Sequence, residues 1–229
     1  MITVGIPVGP LPEHRRWLPE CLESICNQTV KPQEIVLISD MCSLSQYSIG
    51  QIVRDRIPFR IWESPWHLGV AHAFNFAVAL SKTNLVITLG ADDTLEPTCI
   101  EQCRDAYLRE PNTTRDLSYF YLGVKYMDTN EEQSLPCQAA MVSQTLWKHT
   151  GGLPVESASG APDASFISIL LAQKGAAGHL VQVNAKKPLY NYRRHNATDT
   201  AQRAPWQGVI LPTRDLVTRL WQQPTWERF

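Results

Sequence analysis

Short apolar runs alternate along the first hundred residues with stretches in which apolar side chains recur every three or four positions. Thr3 to Val8 reads as an opening strand, and Pro7, which cannot donate to a ladder, marks its finish. Gly9-Pro10-Leu11-Pro12 reads as an irregular turn. From Arg16 to Cys26, the side chains of Trp17, Leu18, Cys21, Leu22 and Ile25 share one helical face, and Asn27-Gln28-Thr29 with Pro32 ends that helix. Glu34 to Ser39 is a continuous apolar run, the pattern of a strand buried on both faces in a parallel sheet, and it delivers Asp40 to its C-terminal end. A weaker helix around Ile49 to Val53 and a short strand from Phe59 to Trp62 follow. His67-Leu68-Gly69 then opens a helix through Leu80, with Val70, Ala73, Phe74, Ala77 and Leu80 spaced to pack on a sheet. Leu85 to Leu89 is a fourth buried strand.

Past Pro97 the periodicity predicts a helix from Cys99 to Leu108 and a polar break from Asn112 to Arg115. Asp116 to Met127 is rich in Tyr, Phe, Leu and Val and reads as strand, as does Ala139 to Val142. A short helix from Gln144 to His149 leads into the tight turn Gly151-Gly152-Leu153-Pro154 and a small-residue loop from Glu156 to Pro162. Asp163 precedes an apolar helix through Leu171, Leu180 to Val183 and Leu189 to Tyr192 read as strands, and Val209 to Trp221 as a closing helix. The alternation of strand and helix predicts an α/β fold, a mixed sheet flanked by helices. The expected organisation is one compact domain over 1–229, with the boundary between its two halves, 1–115 and 116–229, at the polar break.

The 44% hydrophobic and 19% charged fractions of this 229-residue chain are those of a globular protein with a sizeable core. A formal net charge of −1 leaves no bulk attraction for polyanions, so any anion must be met by a local patch. No apolar run is long enough to span a bilayer and no basic-then-apolar leader opens the chain, which together predict a cytoplasmic protein. The six cysteines contain no C-x-x-C pair and are expected to be buried free thiols.

In open α/β sheets ligands bind beyond the carboxyl ends of the strands. Pro7-Val8-Gly9, Asp40 and the adjacent pair Asp92-Asp93 all fall at that edge. Two carboxylates leaving a buried strand either take up a hard divalent cation through their oxygens or form a solvated turn, and the residues alone permit both. Asp163, immediately before an apolar helix, fits either an N-cap or a general base. Arg193, Arg194 and His195 form a basic run after a strand, suited to phosphate or to solvent. Trp66, Trp147 and Trp206 offer flat faces for stacking or pack as core and rim.

With these pieces in order, the chain resembles the inverting, GT-A-fold glycosyltransferases of family 2. The opening strand Ile2 to Pro7 is similar to the family's first strand, as is Cys21 to Thr29 followed by Pro32 to Val36 to its helix and second strand. Leu68-Gly69-Val70-Ala71-His72-Ala73-Phe74-Asn75 is similar to the segment before the family's metal motif. Gly90-Ala91-Asp92-Asp93 stands where the family has Asp-x-Asp-Asp, and Gly151-Gly152-Leu153 with a later Asp matches in order. Four positions depart from the pattern: Gly90 for the first Asp, Ser39 before Asp40, Pro162 before Asp163, and His67 before Leu68-Gly69.

The resemblance implies transfer of a sugar from a nucleotide-sugar donor, UDP-linked by preference, to a hydroxyl on a glycan, protein, lipid or modified nucleobase, with 1–115 as the nucleotide-sugar-binding half and 116–229 as the acceptor-binding half. It implies that Pro7, Val8, Gly9, Asp40 and Asp92 line the nucleotide site, that Asp92 and Asp93 with His195 hold Mn²⁺ or Mg²⁺, and that Arg193, Arg194 and His195 lie near the diphosphate. Asp163 would be the base, with Glu156 as the alternative. A catalytically inactive nucleotide- or sugar-binding module is the rival reading. A nucleotidyltransferase is a further one, although Gly9-Pro10-Leu11-Pro12 lacks the Gly-rich, basic character such enzymes show after the first strand.

Overall fold

The computed structural model describes residues 1–53, 56–137, 139–154, 166–167, 170 and 180–195. Four parallel strands form its centre: β1 (Ile2–Val8), β2 (Glu34–Asp40), β3 (Phe59–Ser64) and β4 (Leu85–Thr88). Both β1 and β2 are continuous apolar runs because the sheet is covered on both faces. Ile2, Val4, Ile6, Val8, Ile35, Leu37, Leu85 and Ile87 pack one way, with Leu22 and Ile25 of α2 (Leu18–Cys26), Ile49 and Val53 of α3 (Gln46–Val53) and Ile100 of α5 (Cys99–Arg109). Val36 and Ile38 pack the other way, on Ala73, Phe76 and Ala77 of α4 (Gly69–Leu80).

The second half of the chain extends the same sheet. Its strands β6 (Tyr119–Tyr121), β9 (Ala140–Ser143) and β10 (Leu180–Gln182) give a seven-stranded order β10-β6-β9-β4-β1-β2-β3, with β9 antiparallel to both β4 and β6. The break placed at Asn112 to Arg115 is thus a polar turn and a 3₁₀ segment, Arg115–Leu117, within one continuous fold. A smaller sheet, β5-β11-β7-β8, is built from β5 (Thr94–Leu95), β7 (Val124–Tyr126), β8 (Glu132–Gln133) and β11 (Tyr190–Tyr192). The single strand expected from Asp116 to Met127 is divided by Gly123, whose φ of +68° turns the chain from the large sheet into the small one.

Two further differences bear on the site. The helix expected over Arg16 to Cys26 is α2, which begins two residues later, and a further short helix, α1 (Pro12–Arg16), precedes it; Pro19 lies in the first turn of α2 and cannot continue a preceding helix, so the two stay separate. Trp17 is the joint between them, with φ −101° and ψ −2°. All six cysteines are free thiols; Cys21, Cys26, Cys99 and Cys103 are buried, while Cys42 and Cys137 are half-buried. Among the described residues no helix is long and apolar enough to cross a membrane.

Candidate active site

The strand order puts β1 between β2 and β4, and all three run toward the same edge of the sheet; β2 reaches four residues further than β4, since Thr88 and Val36 both register with Gly5. Asp40 closes β2 there and is buried. Its Oδ1 accepts from the Leu68 amide (2.7 Å) and its Oδ2 from the Gly69 amide (3.0 Å), while Nδ1 of His67 lies 3.0 Å from Oδ2. The carboxylate therefore sits on the N-terminus of α4, where unpaired amides and the helix dipole favour negative charge. Sequence reasoning gave Asp40 to a nucleotide; the structure shows it first holding a helix against the sheet. Val8 is buried and Pro7 and Gly9 half-buried at the neighbouring end of β1, where the Cys42 thiol donates to the Val8 carbonyl at 3.4 Å.

Beyond β4 the chain makes a tight turn, closed by a hydrogen bond from the Asp93 amide to the Gly90 carbonyl (3.3 Å), and enters β5 at once. The turn and the paired carboxylates are both present, and they part company in environment. Asp93 is buried: the Tyr190 hydroxyl donates to its Oδ2 at 2.5 Å and the Arg193 amide to its Oδ1 at 2.8 Å. Burial pushes its carboxyl well above the usual range, and the charge of Asp92 adds to this against the opposing Tyr190 and Arg193 groups. The same pocket pushes up the Tyr190 phenol, through burial and then Asp93, and the Cys21 thiol, through burial and then Asp93, Asp92 and Glu20.

Asp92 is half-buried, with its Oδ2 2.8 Å from Nε2 of His195. Arg193 binds the same turn from outside: its Nε donates to the Asp92 carbonyl (2.9 Å) and its Nη2 to Glu20 (2.5 Å). Side chains of an extended segment alternate in direction, so Arg193 and His195 face the turn while Arg194 points away. Arg194 instead pairs with Asp128 at 3.2 Å and lies over the Tyr126 ring at 4.0 Å. The basic run is thus divided: two members at the acidic turn, one holding the loop between β7 and β8.

Gly90 belongs to this arrangement. A Cβ at that position would lie 2.5 Å from Oδ2 of Asp93 and 2.9 Å from Oδ1 of Asp92. The two carboxylates fold over the bare backbone, so in this geometry a third acidic side chain at position 90 has no room.

Asp163, Glu156, Pro162 and Trp206 lie outside the described residues. The turn leading toward Asp163 is fixed: Asn75, fully buried in α4, accepts from the Leu153 amide (2.8 Å) and the Trp147 indole (2.9 Å) and donates to the Leu153 carbonyl (3.0 Å). Trp147, in α6 (Gln144–Thr150), is therefore core, whereas Trp66 is 53% exposed. Three residues of the acidic turn's surroundings, Trp17, Glu20 and Tyr190, carry no local sequence signal of a site. Their relevance comes from contacts between the two ends of the chain.

Among the described residues no group of three or more His, Cys, Asp or Glu side chains converges to hold a metal. Carboxylate–imidazole pairs do converge, Asp40 with His67 and Asp92 with His195; the second, half-buried beside the acidic turn, suits a divalent cation that draws its remaining ligands from phosphate oxygens and water.

The chain matches the family model of glycosyl transferase family 2 over residues 13–134. Among curated proteins, it is 30% identical over 95 residues to the chondroitin synthase of Pasteurella multocida (strain Pm70) and to the hyaluronan synthase of Pasteurella multocida. Each match covers 41% of this chain and 10% of the synthase, so the chain spans about a tenth of these relatives. Among solved structures, S. aureus TarS 1-349 in complex with UDP-GlcNAc superposes with a TM-score of 0.69 at 14% identity, over 88% of this chain and 60% of that one. Mannosyltransferase PcManGT from Pyrobaculum calidifontis, in complex with GDP-Man and Mn²⁺, gives 0.55 at 16% identity, over 79% and 54%. A mixed sheet with an acidic turn at its carboxyl edge, the superpositions and a family match across more than half the sequence agree: the chain belongs to glycosyl transferase family 2 and has a GT-A fold.

Proposed function

We propose that this protein is a metal-dependent, inverting glycosyltransferase that moves a sugar from a UDP-linked donor to an acceptor hydroxyl. The observation that carries the reading is the half-buried Asp92 carboxylate facing His195 at the carboxyl edge of the sheet, two strands from Asp40. The nucleoside would lie between the β1 and β2 ends, against Pro7, Val8 and Gly9, with the ring N–H of uracil offered to Asp40, whose Oδ1 accepts only the Leu68 amide among the described contacts. Asp92 and His195 would hold Mn²⁺ or Mg²⁺ against the diphosphate. Bound there, the cation supplies Lewis-acid stabilisation of the leaving nucleotide. Asp93 keeps the turn closed through Tyr190 and Arg193, and a cation beside Asp92 would offset the carboxylate charge that this pocket concentrates. Arg193, held by Glu20, adds a positive charge at the same edge.

Asp163 would take the proton from the acceptor hydroxyl, on the opposite side of the anomeric carbon from the leaving group. Support for UDP comes from the uracil argument and from the TarS complexes with UDP-GlcNAc and UDP, though PcManGT binds GDP-Man. The acceptor is a hydroxyl of a glycan, protein, lipid or modified nucleobase.

Thermal unfolding with UDP, GDP, CDP and dTDP, each with and without Mn²⁺, tests the donor site. A nucleotide at a hundred times its Kd stabilises by about 2.7 kcal/mol, a shift of about 5–10 °C for a chain of this size. The expected result is a shift with UDP that requires Mn²⁺ and is lost in Asp92→Asn. Silence from all four nucleotides would refute the reading. Slow Mn²⁺-dependent hydrolysis of a UDP-sugar, weakened in Asp163→Asn, separates an enzyme from an inert binding module.

A further inference from the structure

The side chain that faces Asp92 comes from beyond the last residue of β11, and what holds it there is at the other end of the chain. The Trp17 and His195 rings lie 4.3 Å apart between centroids, tilted by 41°. The guanidinium of Arg193 sits over the same indole at 5.3 Å and is tied to Glu20, three residues after Trp17, at 2.5 Å. Arg16 lies over that indole too, at 5.2 Å. Trp17 joins α1 to α2, so its backbone is fixed by helices on both sides, and α2 is anchored in the core through Leu18, Cys21, Leu22 and Ile25. On the same segment as His195, the Arg193 amide ties the backbone to Asp93.

We propose that Trp17 is the positioning residue of the cation site: its indole face fixes the His195 ring so that Nε2 is directed at Asp92. This rests on the reading above, in which Asp92 and His195 hold the metal. An imidazole that already points at its partner carboxylate binds a cation without a rotamer search, and a flat aromatic wall achieves this with two torsions of its own. The indole also takes the Arg193 guanidinium by cation–π attraction, which keeps the strand end from drifting off the turn. Neighbours that orient metal-binding side chains typically change affinity by about 10–100-fold when removed. The effect should depend on the metal, because an imidazole nitrogen contributes more to Mn²⁺ than to Mg²⁺, which prefers oxygen ligands.

The test is Mn²⁺ binding in the presence of UDP, read from the electron paramagnetic resonance of free Mn²⁺, with Mg²⁺ measured by competition. Trp17→Leu keeps the apolar bulk and loses the aromatic face; Trp17→Phe keeps a face. The expected results are a loss of Mn²⁺ affinity of about tenfold in Trp17→Leu, a much smaller change for Mg²⁺, and recovery of most of the affinity in Trp17→Phe. In a His195→Ala background Trp17→Leu should have no further effect, since a positioning residue acts only through the group it positions. Unchanged Mn²⁺ affinity in Trp17→Leu, or the same loss with and without His195, overturns the proposal. If His195→Ala itself binds Mn²⁺ as the unaltered protein does, the assignment of His195 to the metal fails instead, and the two failures are told apart.

Discussion

Gly90→Ala puts one methyl group into the place where the two carboxylates of the acidic turn meet. The new Cβ would lie 2.5 Å from Oδ2 of Asp93 and 2.9 Å from Oδ1 of Asp92, whereas ordinary contact begins at 3.4 Å, so the nearer oxygen must retreat by about 0.9 Å. That oxygen is the one accepting from Tyr190, and the other oxygen of the same carboxylate holds the Arg193 amide. Asp92 has a partly solvated side chain and can swing aside, but Asp93 is buried and cannot move without loosening both bonds. Overpacking of this kind costs about 1–3 kcal/mol and a weakened buried hydrogen bond to the Asp93 carboxyl about 1–2 more. A total near 3 kcal/mol would lower Tm by about 6–12 °C. Urea unfolding at constant m measures it directly. The same substitution should weaken Mn²⁺-dependent UDP binding, because the turn that presents Asp92 is displaced. A Gly90→Ala protein as stable as the parent, with metal binding intact, would show that the carboxylates do not pack over position 90.

Three further outcomes follow from contacts elsewhere. Asp40→Asn leaves the Leu68 and Gly69 amides with one carbonyl oxygen in place of a carboxylate, and should cost about 1–3 kcal/mol in urea unfolding while weakening UDP binding. Arg60→Met removes the guanidinium that holds buried Glu34 at 3.0 and 3.1 Å; it should cost about 3–5 kcal/mol, and Glu34→Gln added to it should restore a good part. Burial works to raise the Glu96 carboxyl, but Lys187 at 2.9 Å and Asn191 outweigh it and hold it below the ordinary value. A carboxylate lowered in the folded state gives stability that is present above its unfolded pKa, about 4.3, and is lost as pH falls through the folded value. Tm between pH 6 and pH 3 should therefore fall less steeply in Lys187→Gln than in the parent protein.

The large sheet was legible because its strands announce themselves: the runs at Glu34 to Ser39 and Leu85 to Leu89 are apolar on both faces, which only a covered sheet rewards. The small sheet was legible only in part: Leu189 to Tyr192 reads as strand and is β11, and β7 falls inside Asp116 to Met127. Its strands β5 and β8 are two residues long, too short for any period to show. The joint at Trp17 was hidden for a different reason. Leu18, Cys21, Leu22 and Ile25 continue the helical spacing so well that Pro19 was absorbed into it, although a proline two residues past Trp17 is the mark of a fresh start. Asp92 and Asp93 were found together as one feature, but nothing in a dipeptide tells which carboxylate is buried. That follows from Tyr190, about a hundred residues later.

Asp40 and Asp93 show why counting acidic residues at a sheet edge misjudges a site. Both carboxylates are buried, and both are occupied by backbone amides: Leu68 and Gly69 at one, Arg193 at the other, with Tyr190 added. A buried carboxyl group keeps its place only where hydrogen-bond donors meet its oxygens, and the same donors compete with any ligand for them. Asp92 differs, since its described side-chain partner is an imidazole at 2.8 Å, itself a group able to bind metal. On the proposed reading the edge thus divides its labour. Two acids fasten α4 and the strand end β11 to the central sheet, and the third carries the negative charge offered outward. A family motif with one more Asp would add a charge at position 90, where the fastened Asp93 already fills the space. The missing acid and the tightly held one are then two sides of one packing solution, and restoring Asp at position 90 should disturb the turn more than it helps the metal.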